Sequence, residues 1–128
     1  MKPLTREWVR KAENDFKVAV QILRQRKEVV PDAVCFHCQQ CVEKYLKARL
    51  TEAGLAFPKT HDLFLLLKLT SSVEPSWLAF SSAAKAITNY AVDFRYPGYS
   101  ATRREARTAM KHSRAIRAVI RRSLGLKT

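Results

Sequence analysis

Glycine is scarce in this sequence, with three among 128 residues. So few glycines leave little material for tight turns, so long regular elements are expected. Alternation of polar and apolar residues, the mark of a half-buried strand, is missing along the whole chain, which argues against a sheet. Long apolar runs are missing as well. The longest, "LFLLL" at Leu63–Leu67, falls far short of the roughly 20 residues a membrane helix needs. The opening residues, "MKPLTREW", contain no apolar stretch, so no secretory signal is expected and a soluble cytoplasmic protein is. Acidic charge is also short: 11 Asp and Glu stand against 24 Lys and Arg, a formal net charge of +13. A surplus of that size attracts polyanions, which include nucleic acid, nucleotides and acidic protein surfaces.

Cysteine is limited to three residues, all within "CFHCQQC" at positions 35–41. An odd, tightly clustered set excludes a disulfide framework. On a helix Cys35, Cys38 and Cys41 fall at roughly 0°, 300° and 240°, so they drift across one face and do not converge. Zinc needs four ligands, yet His37 points away from Cys38 and no second cysteine pair exists. A redox dithiol would need an exposed helix N-terminus to depress a thiol pKa. The three therefore read as small core hydrophobes, and neither a metal nor a cofactor is expected.

Helical periodicity fills most of the chain. A first helix is expected from an N-cap at Thr5 to about Lys27, burying Trp8, Ala12, Phe16, Ala19 and Leu23 and leaving Asp15 solvated. A second runs from about Asp32 to Ala53, with Gly54 ending it and Val34, Cys38, Val42, Tyr45, Leu46 and Leu50 inward. Thr60 is placed to cap a shorter third helix carrying Leu63, Leu66, Leu67 and Leu69. A fourth is expected from about Ser76 to Tyr90, with Trp77, Phe80, Ala84, Ile87 and Tyr90 on one face. "DFRYPGYS" must be irregular. The last helix opens at "TRRE", where Thr102 and Glu105 have capping-box spacing, and ends near Leu124. The fold class is all-α: an up-and-down bundle of four to five helices forming a single domain over residues 1–128, with its core at about 5–122.

"AVCFHCQQCVEKYLKARL" resembles the second helix of the HEPN domain (higher eukaryotes and prokaryotes nucleotide-binding). The resemblance rests on Ala33, Phe36, Gln39, Gln40, Glu43, Lys44, Leu46 and Lys47. "THDL" at 60–63 is similar to the family's helix-three opening, and "NYAVDFRYP" at 89–97 to its Tyr/Asp-x-Arg-Tyr-Pro segment. The resemblance implies a compact helical bundle that pairs as a homodimer. It also implies a two-gene, toxin–antitoxin-like module with a small nucleotidyltransferase partner. Many relatives cut RNA without a metal, using an Arg and a His four to six residues apart near the last helix.

Metal-free RNA cleavage needs a base, an acid and a cation for the phosphorane charge, roles that suit His and Arg. The literal Arg-x4-His is Arg107 and His112. Counting instead from Arg95, positions 100 to 102 hold Ser100, Ala101 and Thr102. The candidate catalytic residues are therefore Arg95, Arg107 and His112, although on a helix Arg107 and His112 diverge by about 140°. Arg95 and Tyr96 sit in an irregular loop, where a guanidinium can take a phosphate and a ring can stack on a base. Arg95 is equally able to pair with Asp93 or Glu43, and Tyr96 to plug the bundle end. His61 reads as a first-turn histidine.

Nine Lys and Arg fall between Ala101 and Thr128 against the single acid Glu105. Within them Arg103, Arg107, Lys111, Arg114, Arg117 and Arg121 recur at three- and four-residue spacing as one stripe. Such a run is usually a solvated face, but like charges this dense repel unless an anion covers them. The candidate nucleotide- or RNA-binding set is Arg95, Tyr96, Arg103, Arg107, Lys111 and Arg114. Three readings follow: a nucleotide- or RNA-binding HEPN-like component, a metal-independent ribonuclease, and a non-catalytic module docking on an acidic partner.

Overall fold

The protein is described from a computed structural model over residues 1–93 and 96–128, with the backbone alone at residues 91–93. Helix α1 spans Pro3–Arg24, α2 Pro31–Glu52 and α3 Leu63–Thr70. A short 3-10 helix at Pro75–Phe80 leads into α4, Ser81–Asp93, and α5 spans Arg103–Ser123. Among the described residues there is no strand, and no helix is long and apolar enough to cross a membrane.

α2 is the axis of the bundle, packed against α1, α3, α4 and α5. Its buried set covers most of its circumference, from Val34, Cys35 and Cys38 to Tyr45, Leu46, Ala48 and Leu50, and leaves one half-exposed stripe through Ala33, His37, Gln40 and Lys44. α1 lies along it through Val9, Ala12 and Ala19, with the larger Trp8, Phe16 and Leu23 half-buried at the flanks. The small alanines let the two backbones approach, so the buried stripe is centred slightly off the large-residue stripe that periodicity suggests. One core cluster joins Tyr45, Leu46 and Leu50 to Leu63, Leu66, Trp77, Ile87, Ile116 and Ile120. A second joins Ala19, Val34, Cys35 and Cys38 to Ala106, Ala109 and Met110.

Several boundaries differ from expectation. α1 starts at Pro3, whose missing N–H suits a first helical position. Thr5 is therefore inside the helix, and its hydroxyl donates to Glu52 Oε1 at 2.9 Å, tying the start of α1 to the end of α2. α3 is capped by Asp62, whose Oδ1 accepts from the N–H groups of Phe64 and Leu65 at 3.0 and 3.2 Å, and Thr60 accepts from Asp62 N–H. The stretch expected as one helix from Ser76 begins as 3-10 turns after Pro75, with Trp77 buried. The expected features that hold are Gly54 in the left-handed region after α2, at φ +71°, and the reciprocal Thr102–Glu105 capping box. Just before that box, Ala101 N–H donates to Asp32 Oδ1 at 2.6 Å, pinning the entry of α5 to the first turn of α2.

Candidate functional site

The cationic stripe on α5 divides in two. Arg103, Arg107, Lys111 and Arg114 are exposed, as is Arg104 beside them. Arg117 and Arg121 are folded inward. Arg117 Nε donates to Glu13 Oε2 at 2.9 Å, and its NH1 reaches the Thr128 carbonyl at 3.0 Å. Arg121 NH1 donates to the Tyr45 hydroxyl at 2.9 Å, and that hydroxyl donates in turn to Glu13. Burial alone would raise the Glu13 carboxyl, but the bonds from Arg117 and Tyr45 hold it below the usual carboxylate value. Arg117 and Arg121 thus share the single Glu13 carboxylate within the fold, which balances one of their two charges, and the N-terminal half keeps its charge for solvent or a ligand. Arg107, Lys111 and Arg114 rim an open groove of about 590 Å³ floored by Leu23, Met110, Ala115 and Ala118.

The irregular segment ahead of α5 presents two aromatic rings. Tyr96 is 64% exposed and Tyr99 59%, and Tyr99 N–H closes a turn onto the Tyr96 carbonyl at 3.3 Å. The turn needs Gly98, at φ +91°, a region L side chains rarely adopt. Tyr96 is therefore displayed and does not plug the bundle end. Tyr99 and Arg104 were not among the sequence candidates; the repeat of Tyr around Pro-Gly and the adjacent Arg pair were the signals for them. Arg95 and Asp93, with the pairing weighed for them, lie outside the described side chains.

A third grouping forms on α2, from residues far apart in the chain. Glu43 is only 3% exposed. Its Oε2 accepts from Lys47 Nζ at 3.0 Å, and its Oε1 from Gln39 Nε2 at 3.1 Å. His61 Nδ1 lies 2.8 Å from the same Oε1. Lys47 is also held over the rings of Trp8 and Phe57, at 5.5 and 5.9 Å. Gln39, Glu43 and Lys47 from the second-helix motif therefore meet the histidine of "THDL" in one network. On the other side of α2, Asp15 is buried, against the expectation that it is solvated, because His37 Nδ1 and Lys44 Nζ sit 2.8 and 2.6 Å from its oxygens.

With this geometry the family model of the HEPN domain matches residues 5–123. The chain belongs to the HEPN domain family. The crystal structure of TT1696 from Thermus thermophilus is similar in fold, with a TM-score of 0.72 and 22% identity, over 92% of this chain and 96% of that one. No curated protein matches the chain.

In this HEPN protein the Arg107-x4-His112 pair is carried on an unbroken α5, so the two residues leave the helix axis about 140° apart. Arg107 is exposed, while His112 is half-buried on the side of Ala109 and Ile116. Among the described residues no hydrogen bond or ion pair engages His112, so nothing orients its ring toward Arg107. The three cysteines are fully buried. Burial pushes the Cys35 and Cys38 thiols up to about 12 and raises Cys41 as well, the opposite of what a metal-binding or redox thiolate needs. Cys38 Sγ instead packs 4.0 Å from Met110 Sδ. Among the described residues no group of three His, Cys, Asp or Glu side chains is placed to hold a metal ion.

Proposed function

We propose that this HEPN protein binds nucleotides or RNA, with Tyr96, Arg103, Arg107, Lys111 and Arg114 as contact groups and Arg95 assigned from the sequence alone. The observation that carries the reading is the divided stripe. Glu13 holds Arg117 and Arg121, whereas Arg103, Arg107, Lys111 and Arg114 stay exposed on the N-terminal half of α5, which the exposed rings of Tyr96 and Tyr99 precede in the chain. Cations that track phosphates next to rings that stack on bases are what a single-stranded ligand requires. In the same reading the protein is a cytoplasmic homodimer, one component of a toxin–antitoxin-like module with a nucleotidyltransferase partner.

A second reading, docking onto an acidic protein, is favoured by the groove between Leu23 and Ala118, whose floor is apolar and whose rim is cationic. RNA phosphates need the rim but not the floor. One experiment separates these from the metal-independent ribonuclease. A labelled single-stranded RNA is mixed with the protein at low salt in EDTA, and both binding and cleavage are followed. Intact, bound RNA, with affinity reduced in Tyr96→Ala and Arg103→Glu, supports the proposal. Cleavage lost in His112→Ala supports the ribonuclease, and no binding at low salt leaves the docking module.

A further inference from the structure

Two helices that share a third leave a seam between them. α1 and α5 both pack on α2 and run antiparallel: Glu13 meets Arg117, Phe16 lies under Arg114, and Leu23 borders the groove beside Arg107. The Glu13–Arg117 pair bridges the two helices at one end. Toward Leu23, among the described residues, no hydrogen bond or ion pair joins them, and the groove of about 590 Å³ opens there over Leu23, Met110 and Ala118. A further opening of about 310 Å³ follows on the α1 side, past Phe16 and Val20. Arg114, 5.3 Å from the Phe16 ring centroid, stands where the two meet.

The seam has the length of a short helix. From Arg107 to Ala118 α5 advances roughly 16 Å, about three turns. An apolar floor between polar banks takes the apolar stripe of an amphipathic helix. The banks set the charge of that helix. Lys111 and Arg114 stand on the α5 side and Lys17 and Arg24 on the α1 side, all exposed. Among the described residues none of these four has a carboxylate within ion-pair distance. The one acid lining either opening, Glu13, is held by Arg117 and Arg121. A second copy does not supply the missing charge, because its α1 and α5 both carry more bases than acids. Nucleic acid would satisfy the banks and leave the floor uncovered.

We propose that this seam seats an acidic amphipathic helix from a partner protein, which rests on the docking reading above and gives it an occupant. The apolar stripe of that helix lies on the floor, and its carboxylates face Lys17, Arg24, Lys111 and Arg114.

The test is selection against the full chain, at about 0.15 M salt, from a display library of helical peptides about three turns long. Leucine is fixed at i, i+3 and i+7, and every other position is free. The expected result is enrichment of Asp and Glu at the positions flanking the leucines. A synthetic copy of an enriched peptide should lose at least about tenfold in affinity when its order is scrambled at constant composition. It should lose a similar factor against Ala118→Gln, which fills the floor without changing the charge. The thermal melt of that variant, and its affinity for labelled single-stranded RNA, should match the wild type. The scramble comparison is made on the wild type and stands whether or not the variant folds. Enrichment of neutral or basic helices overturns the proposal. Scrambled peptides that bind as well, with Ala118→Gln without effect, also overturn it and leave docking on an acidic surface standing. If no helix is enriched, the seat and the docking reading fall together. If RNA and not peptide loses affinity in Ala118→Gln, nucleic acid occupies the seam and the proposal falls.

Discussion

Arg117 meets Glu13 side-on across the bundle, Nε to Oε2 at 2.9 Å and NH2 to Oε1 at 2.5 Å, joining α5 to α1. The guanidinium also lies 4.2 Å from the Phe16 ring centroid. Two parallel charged hydrogen bonds on a half-buried face contribute more than a surface pair. Arg117→Ala should lower unfolding stability by about 2 kcal/mol in urea titration. Arg103→Ala, on an exposed side chain of the same helix, should change it by less than about 0.5 kcal/mol.

The same carboxylate sets an acid response. Burial acts to raise Glu13, but Arg117, Tyr45 and Arg121 leave it below its ordinary value of 4.5. A carboxyl depressed in the folded state adds stability that is complete above the unfolded value and is lost as pH falls through the folded one. Stability of the wild type should therefore decline as acid passes below about pH 4.5, while Glu13→Gln, weaker at neutral pH, should show a shallower decline over the same window. Urea midpoints measured across that range check it.

Backbone geometry gives a third expectation. Gly54 sits at φ +71°, and a Cβ there would meet only Lys2 Nζ at an ordinary 3.6 Å. Gly54→Ala should thus cost about 1 kcal/mol from the left-handed backbone and not from a clash, with the fold by circular dichroism unchanged.

The thiols give a fourth. Cys35, Cys38 and Cys41 are fully buried, with their pKa values raised. A disulfide reagent at neutral pH should find no reactive thiol in the native protein and three in denaturant. Rapid native modification of any one would contradict core placement.

Much of this was legible before any coordinates. The helical stripes, Gly54 as a terminator and the Thr102–Glu105 box follow from spacing and local chemistry, and each is present. Local rules missed where a partner came from elsewhere in the chain. Thr5 looked like a cap because its distant partner Glu52 cannot be seen from its neighbours. Asp15 looked solvated because periodicity counts apolar residues and not the His37 and Lys44 side chains that bond its two oxygens. The six-residue stripe looked uniform because Glu13 stands more than 100 positions from Arg117. The His61 network was hidden for the same reason, since Glu43 and His61 meet only when the connector folds back on α2.

The direct measurement of the central claim is RNA affinity as a function of salt, by fluorescence anisotropy with a labelled single strand. Four exposed cations, Arg103, Arg107, Lys111 and Arg114, should make log affinity fall steeply with log salt, and the Arg103→Glu and Arg107→Glu double variant should flatten the slope. A wild type that fails to bind at low salt, or a double variant with unaltered slope and affinity, would contradict the account.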